Sequence, residues 1–143
     1  MTNREKREAR KHACLMLYQY DIGSFSPEEV VTNYWEEEKA SPQVKEMAET
    51  LFKRTVENLK NVDMEIARFL RKGWVVSRLL PMDRSILRVA TYEILNENFS
   101  PPEAVINDAV EIAKVYGEDE KSPKFINAIL HRVKLESAKW KKE

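Results

Sequence analysis

The chain has 143 residues, of which 34% are charged and 43% hydrophobic, and its formal net charge at pH 7 is zero. A chain of this length forms one ordinary domain and buries enough apolar surface for a core without disulfides. The single cysteine, Cys14, excludes an internal disulfide and a zinc site built from cysteines. No apolar run reaches the roughly 20 residues of a membrane span, and the charged N-terminus is unlike a signal peptide, so we expect a cytoplasmic protein.

The charges are unevenly distributed along the chain. Residues 1–11 and residues 131–143 each hold five basic and two acidic residues, so each end carries a net charge of +3. The middle of the chain therefore carries −6. Two basic ends on an acidic body favour a local site for a polyanion over a generally adhesive surface.

A first helix is predicted over residues 4 to about 21. Its apolar stripe follows the spacing i, i+3, i+4, i+7 and consists of Ala9, His12, Ala13, Met16, Leu17 and Tyr20. The remaining surface carries two like-charged pairs at i, i+4, which are Lys6 with Arg10 and Arg7 with Lys11. Such pairs repel each other, and cations in the first turns oppose the helix dipole. Folding alone does not account for this arrangement, whereas an anionic ligand does.

Helical spacing continues through the rest of the chain, and we find no alternating strand pattern and no hairpin turn. Ser26-Pro27 and Ser41-Pro42 begin the second and third helices, because serine caps a helix and proline suits its first position. Asn61 is predicted to separate the third helix from a shorter fourth helix over residues 62–72. A short turn over residues 75–80 follows.

Two further helices within residues 82–117 are predicted to organise the fold. The first runs from about Asp83 to Asn96. The second follows a corner at Ser100 to Glu103, where Ser100 is predicted to cap the helix and Glu103 to complete a capping box. A last helix begins at Ser122-Pro123. The pattern therefore predicts an all-α fold of about seven helices.

Catalytic and metal-binding motifs are not evident in the sequence. His12 and His131 are the only histidines, and His12 lies beside the apolar stripe, where a packed role is expected. Cys14 has no base near it in sequence, and there is no glycine-rich phosphate loop. Residues 118–120 are acidic but lack the spacing of a calcium loop, so a solvated loop is favoured. An enzyme is the least favoured interpretation.

The basic first helix is the strongest physical signal. It is typical of contact with a nucleic-acid backbone, and arginine also stacks on exposed bases or forks to them. An ordinary solvated face explains the same charges equally well. Tyr18 follows Arg7 and Lys11 along the helix and is a candidate for stacking a base, with a partly buried tyrosine as the alternative.

Four ordered blocks are spread over nearly the whole chain, at residues 7–18, 83–93, 105–114 and 122–130. The first block begins with Arg7-Glu8-Ala9-Arg10, and the last block ends with Asn127-Ala128-Ile129-Leu130. In these blocks the sequence resembles the bacterial NusB family of transcription antitermination factors. The resemblance implies an all-α fold of two small packed bundles, an N-terminal one over about 1–80 and a C-terminal one over about 81–143. It implies no catalysis, no cofactor and no metal.

The resemblance also implies partners. Family members bind boxA, a short single-stranded element in the leader of ribosomal RNA transcripts, together with NusE, a small-subunit ribosomal protein. The complex joins RNA polymerase and other Nus factors so that transcription passes terminators. The family contains monomers and dimers, so a homodimer that hides the basic face stays open.

The first helix is the RNA-binding motif of the family, which implies that role for Lys6, Arg7 and Arg10. We add Arg4 and Lys11 by proximity. The loop before the last helix and its first turn also lie at the RNA surface in the family, and the corresponding residues here are Lys121, Lys124 and Phe125. The central helices carry the NusE surface in the family, and the candidates for it here are Asp83 and Pro102. The alternative to direct RNA binding is a protein-only helical adaptor whose basic face meets an acidic partner.

Overall fold

The computed structural model describes the backbone of residues 1–141 and the side chains of residues 1–137. Over these residues the chain forms seven α-helices and one short 3-10 turn, and no strand. The helices are α1 (Asn3–Ile22), α2 (Pro27–Glu37), α3 (Pro42–Glu57), α4 (Leu59–Ala67), α5 (Pro81–Asn96), α6 (Pro102–Tyr116) and α7 (Ser122–Lys141). The all-helical prediction is confirmed. Within the basic C-terminal end at residues 131–143, the side chains of residues 138–143 lie outside the described part of the chain.

Two Ser-Pro junctions cap their helices as predicted. The Ser26 hydroxyl accepts a hydrogen bond from the backbone N–H of Glu29 at 3.2 Å, and the Glu29 carboxylate accepts one from the backbone N–H of Ser26 at 3.2 Å. This reciprocal arrangement is a capping box. The Ser41 hydroxyl accepts from the backbone N–H of Val44 at 3.3 Å. These local bonds determine where α2 and α3 begin.

The predicted break between the third and fourth helices is wrong by three residues. Asn58, and not Asn61, separates α3 from α4. The side-chain amide of Asn58 donates to the carbonyl of Arg54 at 2.8 Å, and the backbone N–H of Asn58 donates to the same carbonyl at 3.1 Å. The fourth helix also ends earlier than predicted, at Ala67.

The predicted cap on the sixth helix is also wrong. This helix begins at Pro102, and no side chain caps it. The Ser100 hydroxyl instead accepts a hydrogen bond from Nη2 of Arg10 at 2.9 Å. The hydroxyl that was predicted to cap α6 therefore bonds Arg10, a residue from a distant part of the chain.

The central element of the fold is α5, which packs against α1, α3, α4, α6 and α7. Nearly all of its residues from Met82 to Ile94 are buried. Against it α1 places a fully buried stripe, which includes Ala13, Met16 and Leu17. Because α5 contacts helices on both sides of residue 80, the division into two bundles at that point stays a prediction.

Ion pairs also join α5 to its neighbours. Arg88 of α5 donates to Asp63 of α4 at 2.8 Å and to Asp21 of α1 at 3.2 Å. Arg84 donates to the same Asp21 carboxylate at 2.6 Å. The C-terminal end of α1 is thus held to the centre of the fold. In the described part of the chain, every helix is too short or too polar to cross a bilayer.

Candidate nucleic-acid interface

Three of the predicted basic residues lie together on the surface. Arg4, Arg7 and Lys11 follow one another along α1 at intervals of three and four residues, which places them on one side of the helix. They line a concave patch of about 460 Å³ that also contains Val115 and Tyr116 from the end of α6. We call this the α1–α6 patch. The acidic residues Glu8 and Glu111 also line it.

Arg7 is held by one edge of its guanidinium. Its Nε donates to Oδ1 of Asp108 on α6 at 2.8 Å, while 54% of its side chain stays exposed. That hydrogen bond to Asp108 raises the pKa of Arg7 above its ordinary value, so the side chain is a permanent cation. Because Asp108 is bonded by Nε, the two terminal nitrogens of Arg7 remain available to a ligand. A guanidinium can donate two parallel hydrogen bonds to a phosphate.

Arg10 lies inside the protein, so the prediction that it belongs to the exposed cationic surface is wrong. Its Nε and Nη2 donate to the two carboxylate oxygens of Glu93 at 2.9 and 2.6 Å. Its Nη1 donates to Oδ2 of Asp108 at 2.8 Å. Asp108 therefore bridges two arginines, the buried Arg10 through one oxygen and the exposed Arg7 through the other.

The importance of Glu93 and Asp108 was not predicted, although the sequence contains one signal for it. Glu93 lies seven residues after Ile86 and three after Ala90, on the buried stripe of α5. A carboxylate on an apolar stripe requires a partner, because burying a lone charge is very costly. That signal predicts a buried cation nearby but does not identify which one.

Lys6 is partly buried rather than free. Its Nζ donates to the backbone carbonyl of Phe99, in the loop before α6, at 2.8 Å. Lys6 therefore ties the start of α1 to that loop. It does not line the α1–α6 patch.

The remaining candidate RNA residues lie on α1 and around the start of α7. Tyr18 is half-buried and packs against the core. Lys121 and Lys124 are exposed. Phe125 is half-buried, and its ring centroid lies 6.3 Å from that of Trp74. The structure thus places one exposed aromatic, Trp74, beside a candidate residue that the sequence had already indicated.

The two candidate partner residues differ in accessibility. Asp83, in the first turn of α5, is 5% exposed, so it offers a partner little surface. Burial raises the pKa of Asp83, and the nearby acids Glu118 and Asp119 add to the effect. Pro102 is half-buried at the first residue of α6.

His12 is buried, as its place beside the apolar stripe predicts. Its Nδ1 shares a hydrogen bond with the Tyr34 hydroxyl, and its ring lies 5.1 Å from that of Trp35. Burial lowers the pKa of His12. Nowhere among the described residues do three or more side chains capable of ligating a metal lie together.

The sequence is similar to a family of known proteins. The profile of the NusB family matches residues 7–134. The chain is 36% identical over 137 residues to the transcription antitermination protein NusB of Helicobacter hepaticus, covering 96% of this chain and 86% of the relative. It is 40% identical over 131 residues to the protein of that name from Bacillus cereus strain B4264, covering 91% of this chain and 97% of the relative.

Structure comparison agrees with the sequence comparison. A chain in the crystal structure of antitermination factors NusB and NusE with dsRNA is similar, with a TM-score of 0.86 and 28% identity over 95% of this chain and 99% of that one. NusB from T. maritima is also similar, with a TM-score of 0.79 and 35% identity over 92% of this chain and 91% of that one. The family profile, these relatives and the fold agree over almost the entire chain, and the protein therefore belongs to the NusB family.

Proposed function

We propose that the protein is a transcription antitermination factor that binds RNA together with a NusE partner. The observation that carries this proposal is the exposed guanidinium of Arg7, fixed by Asp108 within the α1–α6 patch. Support comes from the similarity to a chain crystallised with NusE and dsRNA. As a member of a family of antitermination proteins, it is not an enzyme.

In this proposal Arg4, Arg7 and Lys11 supply the contacts to RNA phosphates. Three phosphate contacts to a single strand correspond to a slope of roughly −2 in a plot of log affinity against log salt. Arg10 has a different role, because its donors are committed to Glu93, Asp108 and Ser100 inside the protein. It holds the helix that presents the other cations.

The resemblance to the NusB family supports a proposal for the RNA and for the assembly. We propose that the RNA is boxA in its single-stranded form and that the partner is NusE, contacted from the central helices near Asp83 and Pro102. The complex would then join RNA polymerase and other Nus factors in the cytoplasm. Glu8 and Glu111 in the α1–α6 patch weaken the attraction of its cations for RNA phosphates, so we expect tight binding to require the partner.

The test is a titration of labelled boxA RNA at two salt concentrations, with and without NusE. We expect Arg7→Ala to weaken binding and to reduce the salt slope, while the fold is retained. Arg54→Ala is the matched control, because Arg54 is also an exposed arginine paired with a carboxylate, Glu97, but lies on α3. Substitution of Arg10 is unsuitable, since it would disturb the interior.

Equal RNA binding by the wild type and by Arg7→Ala would overturn the proposal. The protein-only adaptor is supported instead if NusE is captured equally well before and after nuclease treatment and boxA RNA is not bound. A homodimer that covers α1 would make RNA binding weaken as protein concentration rises. Sedimentation velocity in the same buffer would detect that dimer.

A further inference from the structure

The two acids of the α1–α6 patch differ in how their charges are balanced. Glu111 forms an ion pair with Lys114 at 2.9 Å, so a cation on the same helix already compensates it. Among the described residues, the ion-pair contact of Glu8 is with Nε2 of His12 at 3.6 Å, which is too long for a hydrogen bond. Unless His12 carries a proton, Glu8 therefore places an uncompensated negative charge among the cations of the patch.

His12 lies one turn after Glu8 on α1, with its ring between α1 and α2. It is 1% exposed, and the ring packs edge-on against Tyr34 and Trp35 at centroid distances of 5.5 and 5.1 Å. Nδ1 is hydrogen-bonded to the Tyr34 hydroxyl, whereas Nε2 is buried without a hydrogen-bond partner among the described residues. The Glu8 side chain, which is 42% exposed and can rotate, is positioned to accept from Nε2 when the ring is charged.

The groups around the ring determine when it takes up a proton. Burial lowers the pKa of His12 below the ordinary 6.5, and the neighbouring cation Lys11 lowers it further. Glu8 on the same helix and Glu38 at the end of α2 oppose these effects. Burial also raises the pKa of Tyr34, so its hydroxyl keeps its proton. Because a hydroxyl both donates and accepts, its bond to Nδ1 can persist in either charge state of the ring.

Charged and titratable groups on α3 and α6 face the aromatic neighbours of His12. On α3, the Nζ atom of Lys45 lies 5.2 Å from the centroid of the Trp35 ring, and Glu49 accepts from the Trp35 indole N–H at 3.0 Å. On α6, Tyr116 acts electrostatically on Tyr34. Glu8 is therefore the acid in this region that belongs both to the patch and to the surroundings of the ring.

We propose that His12 and Glu8 form a proton-dependent switch in the α1–α6 patch, in which the protonated ring pairs with the carboxylate and strengthens RNA binding. This inference rests on the proposed RNA-binding function and adds a regulation of the same site. The affinity for RNA rises as pH falls through the pKa of His12, because the ring gains a positive charge and Glu8 is compensated. By linkage, bound RNA must raise the pKa of His12 by favouring the protonated form.

The first experiment measures the affinity for boxA RNA by fluorescence anisotropy from pH 7.5 to 5.5 at constant ionic strength. The wild type should bind roughly two- to fivefold more tightly at the lower pH, the effect of one added charge near phosphates in water. His12→Gln should lack this gain. Glu8→Gln should bind more tightly than the wild type at pH 7.5 and gain less as pH falls. The matched control is His131→Gln, which removes the other histidine, exposed on α7, and should keep the full gain.

The second experiment follows the histidine ring signals of the wild type by NMR over the same pH range, so it does not depend on the folding of His12→Gln. The chain has two histidines, and the spectrum of His131→Gln identifies the signal of His12. RNA should raise the pKa of His12, and Glu8→Gln should lower it in the free protein. The pKa of His131 should respond less to either change.

The possible failures of this inference and of the proposed function are distinguishable. A His12 pKa that RNA or Glu8→Gln leaves unchanged, or an RNA affinity that depends on Arg7 but not on pH, would overturn the switch and leave the proposed function standing. Absence of RNA binding at every pH would remove both. Loss of the near-ultraviolet circular dichroism of the wild type at pH 5.5 would also overturn the switch, because the charged ring would then have left the interface between α1 and α2.

Discussion

Arg10 and Glu93 form a bidentate ion pair in the interior, with nitrogen–oxygen distances of 2.9 and 2.6 Å. Their side chains are only 5% and 2% exposed. Burial alone would lower the pKa of Arg10, but the carboxylates of Glu93 and Asp108 outweigh it and raise the pKa, so the arginine stays charged. The helix that carries the proposed RNA surface is therefore fixed to α5 by a cation that points inward.

Removing Glu93 should destabilise the fold strongly. In Glu93→Ala the Arg10 charge remains buried and keeps only Asp108 as its counter-ion, and breaking a buried pair from one side costs about 3–5 kcal/mol. Urea unfolding followed by circular dichroism measures this loss as a lower midpoint at an unchanged slope.

The control for that measurement is Arg54→Ala, which removes an ion pair with Glu97 in which the arginine side chain is 51% exposed. Exposed pairs contribute about 0–1 kcal/mol, so a small loss is expected. Replacing Arg10 and Glu93 together by Met and Leu should restore part of the stability lost in Glu93→Ala, because no unpaired charge is left. A loss in Glu93→Ala no larger than that in Arg54→Ala would show that the pair is not buried in solution.

The helices could be predicted because the features that determine where a helix begins and which face it buries are local in the sequence. Apolar spacing placed the first helix over residues 4–21, and α1 spans Asn3–Ile22. The caps at Ser26 and Ser41 depend on atoms three residues away. The prediction failed at Ser100, where the local pattern indicated a helix cap. The Ser100 hydroxyl instead accepts a hydrogen bond from Arg10, which lies 90 residues away in the sequence.

The site was only partly predictable for the same reason. Arg7, Arg10 and Lys11 are all basic and lie within five positions of one another. Helical periodicity places them on neighbouring faces of α1 but does not show which side chain is buried and which is exposed. The distinction comes from Glu93 and Asp108, which are 83 and 98 residues away from Arg10. Only the packing of α5 and α6 against α1 brings these charges together.

The outer cations of the α1–α6 patch should control the salt dependence of RNA binding. Lys11→Ala and Arg4→Ala should each reduce the slope of log affinity against log salt by about 0.7, the value for one phosphate contact to a single strand. Neither change should lower the urea midpoint appreciably, because neither side chain is fully buried. Fluorescence anisotropy with boxA RNA over a series of salt concentrations gives the slope.

Lys53→Ala is the matched control, since Lys53 is a partly exposed lysine on α3 with only a distant 3.9 Å contact to Glu49. Its slope should equal that of the wild type. If Lys11→Ala and Arg4→Ala also retain the wild-type slope, the phosphates are contacted elsewhere on the protein.

The cap on α2 gives a prediction about stability alone. Ser26→Ala removes the acceptor for the Glu29 N–H and should lower the unfolding free energy by about 1 kcal/mol. Ser24→Ala, in the preceding loop, should change it little, because Ser24 is exposed and lies outside the cap. Thermal unfolding of the three proteins compares the two effects. Equal midpoints for Ser26→Ala and Ser24→Ala would contradict the capping role.

Asp83 should make stability depend on pH. Burial raises its pKa above the ordinary value of 3.8, and repulsion from Glu118 and Asp119 adds to the effect. Between the unfolded value and the raised folded value, the folded protein binds more protons at this site than the unfolded chain does. The contribution of Asp83 to stability therefore falls as pH rises through that window, and its full cost is present above it.

Asp83→Asn should remove that cost, because a neutral amide does not have to lose the hydration of a charge. At pH 7 we expect the variant to have a higher unfolding free energy than the wild type, and the difference should shrink as pH is lowered toward 4. Urea unfolding of both proteins at pH 7, 6, 5 and 4 measures this difference in unfolding free energy. Glu120→Gln, which removes an exposed acid from the same region, should give a difference that is small at every pH. A difference for Asp83→Asn that stays constant with pH would mean that the carboxylate is solvated in the folded protein.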